Sequence, residues 1–196
     1  MPFVQKQFFD VRPSGIPLGV GRLLVSAPFM TDSYFDRTVV LLVQQDEQGH
    51  MGFILNRPLQ VHLHDVFSSS FTSGFLLHNG GPVSLNQLFF LHTYEQLSDS
   101  SLHLGGDLYV GGNNEEMLPM LKAGLLEESR IRFFVGYAGW SAGQLEEEMA
   151  EKSWVVAPMP EHVMHLPSHQ LWRHVVNNLG EAYRSWLDIP DRASYN

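Results

Sequence analysis

The run Val39-Val40-Leu41-Leu42-Val43 contains five consecutive aliphatic residues and no polar one. A strand with one face in water alternates apolar and polar residues. An unbroken run of this length therefore predicts a strand covered on both faces. Further short runs rich in Val, Leu and Phe are bounded by Gly, Pro and Asn. Together they predict strands over 22–26, 38–44, 51–56, 87–92, 108–111, 131–137 and 153–157. Asp46-Glu47-Gln48-Gly49 lies between two of them and predicts a hairpin turn.

Helical periodicity is confined to four places. Residues 61–67 predict a short helix. Residues 115–123 are periodic, although Pro119 obscures the start. Residues 142–152 have the best-marked ends. Ser141 is placed as an N-cap with Gln144 three residues later, and Trp140 and Leu145 would form a hydrophobic staple around the cap. Glu146, Glu147 and Glu148 then suit the positive end of the helix dipole. Residues 169–179 set Leu171, Val175 and Leu179 on one face, with Gly180 as the stop. Strands and helices mixed along one chain, with no linker between them, predict a single α+β domain over 21–196, preceded by an irregular arm over 1–20.

Composition removes several function classes. The chain has 196 residues and no cysteine, which excludes disulfides, thiol catalysis and thiolate metal sites. Its net charge of −9 argues against direct DNA binding. The basic residues are spread out, with Arg130 and Arg132 as a close pair and no helix-turn-helix pattern. The ten histidines would bring the net charge close to neutral if all were protonated, so a solubility minimum is expected on acidification. Val66 to Tyr94 carries no Asp, Glu, Lys or Arg, but His78, Asn79, Gly80, Gly81 and Pro82 break it into pieces too short to span a membrane. The start resembles no signal peptide. A cytoplasmic protein with no membrane association is expected.

Gly139-Trp140-Ser141-Ala142-Gly143 matches the G-x-S-x-G turn of α/β hydrolases, and a strand precedes it as that turn requires. A nucleophilic Ser141 would need a histidine and an acid after it. No aspartate lies between Ser141 and His174, and four of the glutamates sit on the helix the serine itself would start. The capping role accounts for Ser141 without chemistry, so no catalytic residue is assigned and the serine hydrolase is the alternative. His62-Leu63-His64-Asp65 has ligand-like spacing, and His162, His165, His169 and His174 form a loose series. Neither makes a recognised metal motif, so no metal and no cofactor is expected.

The candidate binding group is Asn56-Arg57-Pro58 at a strand exit, beside the Gly80-Gly81-Pro82 turn. A guanidinium there could hold a carboxylate or phosphate in bidentate fashion. Trp140, leaving another strand, could close one wall. A shared cleft is expected, bordered by Arg57 and Trp140 and floored by Gly80 and Gly81. Asn56 would orient Arg57 or contribute a donor, and Arg37 is a further neighbour. The partner would be a small anionic ligand or another protein.

Taken in order, Gly21-Arg22-Leu23-Leu24-Val25-Ser26-Ala27-Pro28, Phe35-Asp36-Arg37-Thr38-Val39-Val40, Gly52-Phe53-Ile54-Leu55-Asn56-Arg57-Pro58-Leu59, Gly80-Gly81-Pro82-Val83, Leu108-Tyr109-Val110-Gly111-Gly112 and Gly136-Tyr137-Ala138-Gly139-Trp140 resemble the AlgH/YqgE family of bacterial proteins. So do Gly143-Gln144-Leu145-Glu146 and Leu171-Trp172-Arg173, and the likeness runs from about Gly21 to the C-terminus. The resemblance implies a cytosolic bacterial protein with a coiled, bifurcated, mixed or antiparallel sheet packed with a few helices. It implies no established activity. It brings a transcriptional-regulator label and no fixed serine at the Ser141 position. One departure is at the end of the second strand, where the family often has Glu-His and this chain has Gln44-Gln45. The expected function is a binding or regulatory module.

Overall fold

The computed structural model describes residues 11–28, 30, 32–66, 74–112 and 114–190. Among the described residues ten strands run β1 Leu23–Ser26, β2 Val39–Asp46, β3 Gly49–Ile54, β4 Pro58–His62, β5 Leu76–Asn79, β6 Val83–His92, β7 Ser101–Gly105, β8 Leu108–Gly111, β9 Ile131–Ser141 and β10 Trp154–Ala157. Among the described residues the α-helices are α1 Leu63–Val66, α2 Asn114–Lys122, α3 Gln144–Ala150 and α4 Ser168–Asn178. No described helix is long and apolar enough to cross a membrane. The fold is α+β, with the strand order β10-β1-β2-β3-β9-β6-β8-β7.

The sheet divides at β9. One edge of this long strand pairs in parallel with β5 along Phe133–Val135, and then antiparallel with β3 along Ala138–Ser141. The other edge takes β6. Gly136 stands at the change of partners with φ +70, where a Cβ would lie 2.7 Å from the Gly81 and Val83 carbonyl oxygens. Only glycine permits both that conformation and that approach.

The five-residue apolar run explains the layering. Val39, Leu41 and Val43 face one core with Leu171, Trp172, Val175, Val176 and Trp186. Val40 and Leu42 face another with Trp140, Leu145 and Trp154. Helix α4 and the following 3-10 turns over Glu181–Asp188 thus cover one side of the sheet, and α3 covers the other. A third core, around Phe75, Leu77, Phe133, Met117 and Leu121, lies under the β5–β6 lobe.

The structure corrects several boundaries. β4, β5 and β7 are strands that the sequence pattern did not predict, and β6 begins at Val83 rather than at residue 87. Helix α3 begins at Gln144, with Gly143 at φ 80 as its cap residue and no side-chain cap bond. Ser141 instead ends β9, opposite Gly49. Half of the expected box survives, because Gln144 Oε1 still accepts the Ser141 N–H at 3.1 Å. Pairing with β3 extends the strand past the point where a cap would have stopped it. The predicted helix over 61–67 is reduced to α1, and Phe67 lies outside the described residues, as do residues 1–10 of the predicted arm. The described part of the arm has no helix or strand, and the Arg12 carbonyl accepts the Tyr183 hydroxyl at 2.6 Å.

Candidate functional site

The two ends of β3 have different chemistry. Beyond its C-terminal end, Asn56 Oδ1 accepts the Val39 N–H at 3.0 Å and Asn56 Nδ2 donates to the Arg37 carbonyl at 2.8 Å. Arg57 Nη2 donates to the Asp36 carbonyl at 2.6 Å, and to the Tyr34 carbonyl and Thr38 Oγ1 at 3.2 Å each. The Arg37 guanidinium lies 5.0 Å from the Trp172 ring centroid and donates to the Ile189 carbonyl. These groups tie the 33–38 loop to the sheet and to the C-terminal helical layer.

Gly80 and Gly81 adjoin this corner. The Asn79 N–H donates to the Arg57 carbonyl at 2.8 Å, and Gly80 bonds both Val135 and Ile54 through its backbone at 2.9 Å. A Cβ on Gly81 would lie 2.0 Å from the Tyr137 carbonyl carbon. The pair is a close backbone crossing, with no open space above it to serve as a floor.

Trp140 lies elsewhere. It is opposite His50 near the start of β3, whereas Arg57 follows the far end of the strand. At about 3.3 Å per residue, His50 and Ile54 alone are about 13 Å apart. The indole points into the core, donates to Glu148 Oε2 at 3.0 Å and meets the Trp154 ring edge-on at 5.8 Å. Trp154 donates to the same carboxylate oxygen at 2.7 Å. The structure thus brings Asn56, Arg57, Arg37, Gly80 and Gly81 together and separates Trp140 from them.

A groove of about 360 Å³ does open here, with Trp140 and His50 among its lining residues. Its apolar wall is Met51, Val83 and Tyr137, and its rim is Gln44, Asp46 and Ser141. Cross-strand register aligns Gln44 with Met51 and Met51 with Gly139, so these residues share a face. Gly139 opens the middle of the groove. A Cβ there would stand 3.0 Å from Tyr137 Cε2 and 3.8 Å from Val83 Cγ2. The Tyr137 ring is braced edge-on by Phe89 at 5.9 Å.

The rim is acceptor-rich. Asp46 Oδ2 accepts Gln44 Nε2 at 2.5 Å and Oδ1 accepts the Gln48 N–H at 2.8 Å. The Gln44 side chain, and then the Gln48 amide, hold the Asp46 carboxyl below the usual carboxylate range. Among the described residues, no Lys or Arg lines the groove. Sequence reasoning did not find this site. Its signals were the hairpin turn at 46–49 and the departure at Gln44, both visible but unconnected.

Ser141 lies on the rim, yet its Oγ donates to Gln144 Oε1 at 3.1 Å. An amide oxygen is no general base. His50, one register position away, faces the core, and its Nε2 lies 3.7 Å from Glu146 Oε1. Neither His50 ring nitrogen has a hydrogen-bond partner among the described residues, so His50 does not hydrogen-bond Ser141.

The comparisons with known proteins agree with one another. An AlgH-like family model matches residues 23–184. A UPF0301 protein of Chlorobium luteolum is 38% identical over 180 residues, spanning 91% of this chain and 95% of the other. A UPF0301 protein of Bacteroides fragilis is 31% identical over 195 residues, spanning 98% and 99%. Among solved structures, the AlgH protein from Pseudomonas aeruginosa is similar with a TM-score of 0.67 and 29% identity, over 87% of this chain and 94% of that one. A Corynebacterium diphtheriae protein gives a TM-score of 0.72 at 26% identity, over 91% and 96%.

Proposed function

The chain belongs to the AlgH-like family, and from that premise we propose a binding module that uses the β2–β3 hairpin groove to hold an apolar side chain flanked by a basic residue of a partner protein. The observation that carries this reading is the groove itself. It has an apolar wall and an acceptor-rich rim, with no lysine or arginine among the described lining residues. Its volume is at the low end of the ligand-site range of about 300–1,000 Å³. An anionic ligand would meet Asp46 with no described Lys or Arg in the lining to compensate it. That favours a protein partner over a small anion. Arg57, Asn56 and Arg37 act in this reading as braces of the neighbouring loop rather than as ligand donors. The bacterial, cytoplasmic setting is taken from the family resemblance. Any regulatory role would run through protein contact, because a net charge of −9 opposes binding to a phosphate backbone.

Selection of displayed peptides on the wild-type protein, with counter-selection on Gly139→Val, tests the reading. The valine would project into the groove against Tyr137 and Val83. The expected consensus is an aromatic or aliphatic residue beside Lys or Arg, with binding lost in the variant. An acidic consensus, or binding indifferent to Gly139→Val, would overturn it.

A further inference from the structure

The corner between β4 and α1 gathers metal-ligand side chains that the groove does not use. His62 ends β4, and His64 and Asp65 lie in the single turn of α1. One ligand atom from each of the three falls within 4.8 Å of the others. Asp65 Oδ1 is 3.3 Å from His64 Nε2, and Asp65 Oδ2 is 3.7 Å from His62 Nδ1. Two ligands at about 2.0–2.1 Å from a tetrahedral zinc ion stand about 3.4 Å apart, which these separations bracket.

The platform is fixed. Leu63, between the two histidines, is 1% exposed, and its N–H donates to the Phe75 carbonyl at 2.8 Å. Asp65 Oδ2 accepts the His62 backbone N–H at 2.8 Å, which orients the carboxylate. The two imidazoles stack with centroids 5.4 Å apart and planes 16° apart. The backbone and the carboxylate are therefore anchored, and an ion would be collected by rotation of the two partly exposed imidazoles.

We propose that His62, His64 and Asp65 form a surface site for a divalent late transition metal, with zinc as the reference ion. Two imidazoles and a carboxylate suit zinc, nickel or copper better than calcium or magnesium, which take oxygen ligands. Three protein ligands leave a position open to water or to an outside donor. β4 pairs with β5 off the main path of the sheet, and none of His62, His64 and Asp65 is among the groove's lining residues.

Isothermal titration of zinc into the full-length, tag-free chain tests the site. One ion per chain is expected. His62→Ala, His64→Ala and Asp65→Asn should each weaken binding by about tenfold or more, and His169→Ala should leave it unchanged. All three ligands are at the surface, so melting curves in chelator should coincide with wild type. Cobalt(II) should give visible ligand-field bands on the wild type that His64→Ala lacks. Failure of the wild type to bind zinc, or binding and cobalt bands that survive the three substitutions, would overturn the proposal.

Discussion

Arg57 and Ser141 look alike in the sequence, each a polar residue in a motif at a strand exit, and the structure gives them opposite weights. Arg57 reaches three acceptors of the 34–38 loop through one nitrogen. Hydrogen bonds from a charged donor each contribute about 1.5–3 kcal/mol, so Arg57→Ala should cost about 2–3 kcal/mol in urea denaturation once partial solvent access is allowed for. Ser141→Ala removes an exposed contact to Gln144 and should stay within about 0.5 kcal/mol. His78 is a different case. Burial, and then the Arg132 charge, lower its pKa from 6.5 to about 4. The unfolded chain therefore takes up a proton that the folded chain refuses between those values. Stability is full above pH 6.5 and falls as the pH drops toward 4, by about 3 kcal/mol for this one group. His78→Gln should flatten that limb in a series of urea melts at stepped pH. His92, also lowered by burial, leaves a residual slope.

At the scale of elements, local signals succeeded where burial was strong. β2 is apolar on both faces, and the pattern reports it directly. β4 has no fully buried residue and opens on a proline, so no alternation marks it. β7 is a short sheet-edge strand with one buried side chain, and periodicity over so few residues is weak. The α3 start shows a local rule overridden. Ser141 and Gln144 satisfy the capping pattern, but cross-strand pairing with Gly49 keeps Ser141 extended. The cap passes to Gly143, which holds φ 80 with nothing within 4 Å of the position a Cβ would take. Gly143→Ala should therefore cost about 1–2 kcal/mol from backbone strain alone, with Gly143→Asn milder, both read from thermal melts. A larger loss would mean that the residue packs against something.

For the whole molecule, the decisive feature is the division of the sheet at β9, and it was legible only through the family resemblance. No periodicity records that Phe133–Val135 pair with β5 while Ala138–Ser141 pair with β3, because each pairing joins residues more than fifty positions apart. The expected cleft failed for the same reason. Turns that follow strands need not share a sheet edge, and Arg57 and Trp140 belong to opposite ends of β3. The division also places Tyr137 and Gly139 beside the β2–β3 hairpin, where the groove forms. The proposed binding surface is this groove. Backbone amide NMR during titration with a peptide carrying one aromatic residue beside an arginine tests it most directly. Saturable shifts centred on Gly49, Met51, Gly139 and Ser141 are expected, and Gly139→Val should abolish them. Shifts centred instead on Asn56, Arg57, Gly80 and Gly81, or unchanged by Gly139→Val, would contradict it.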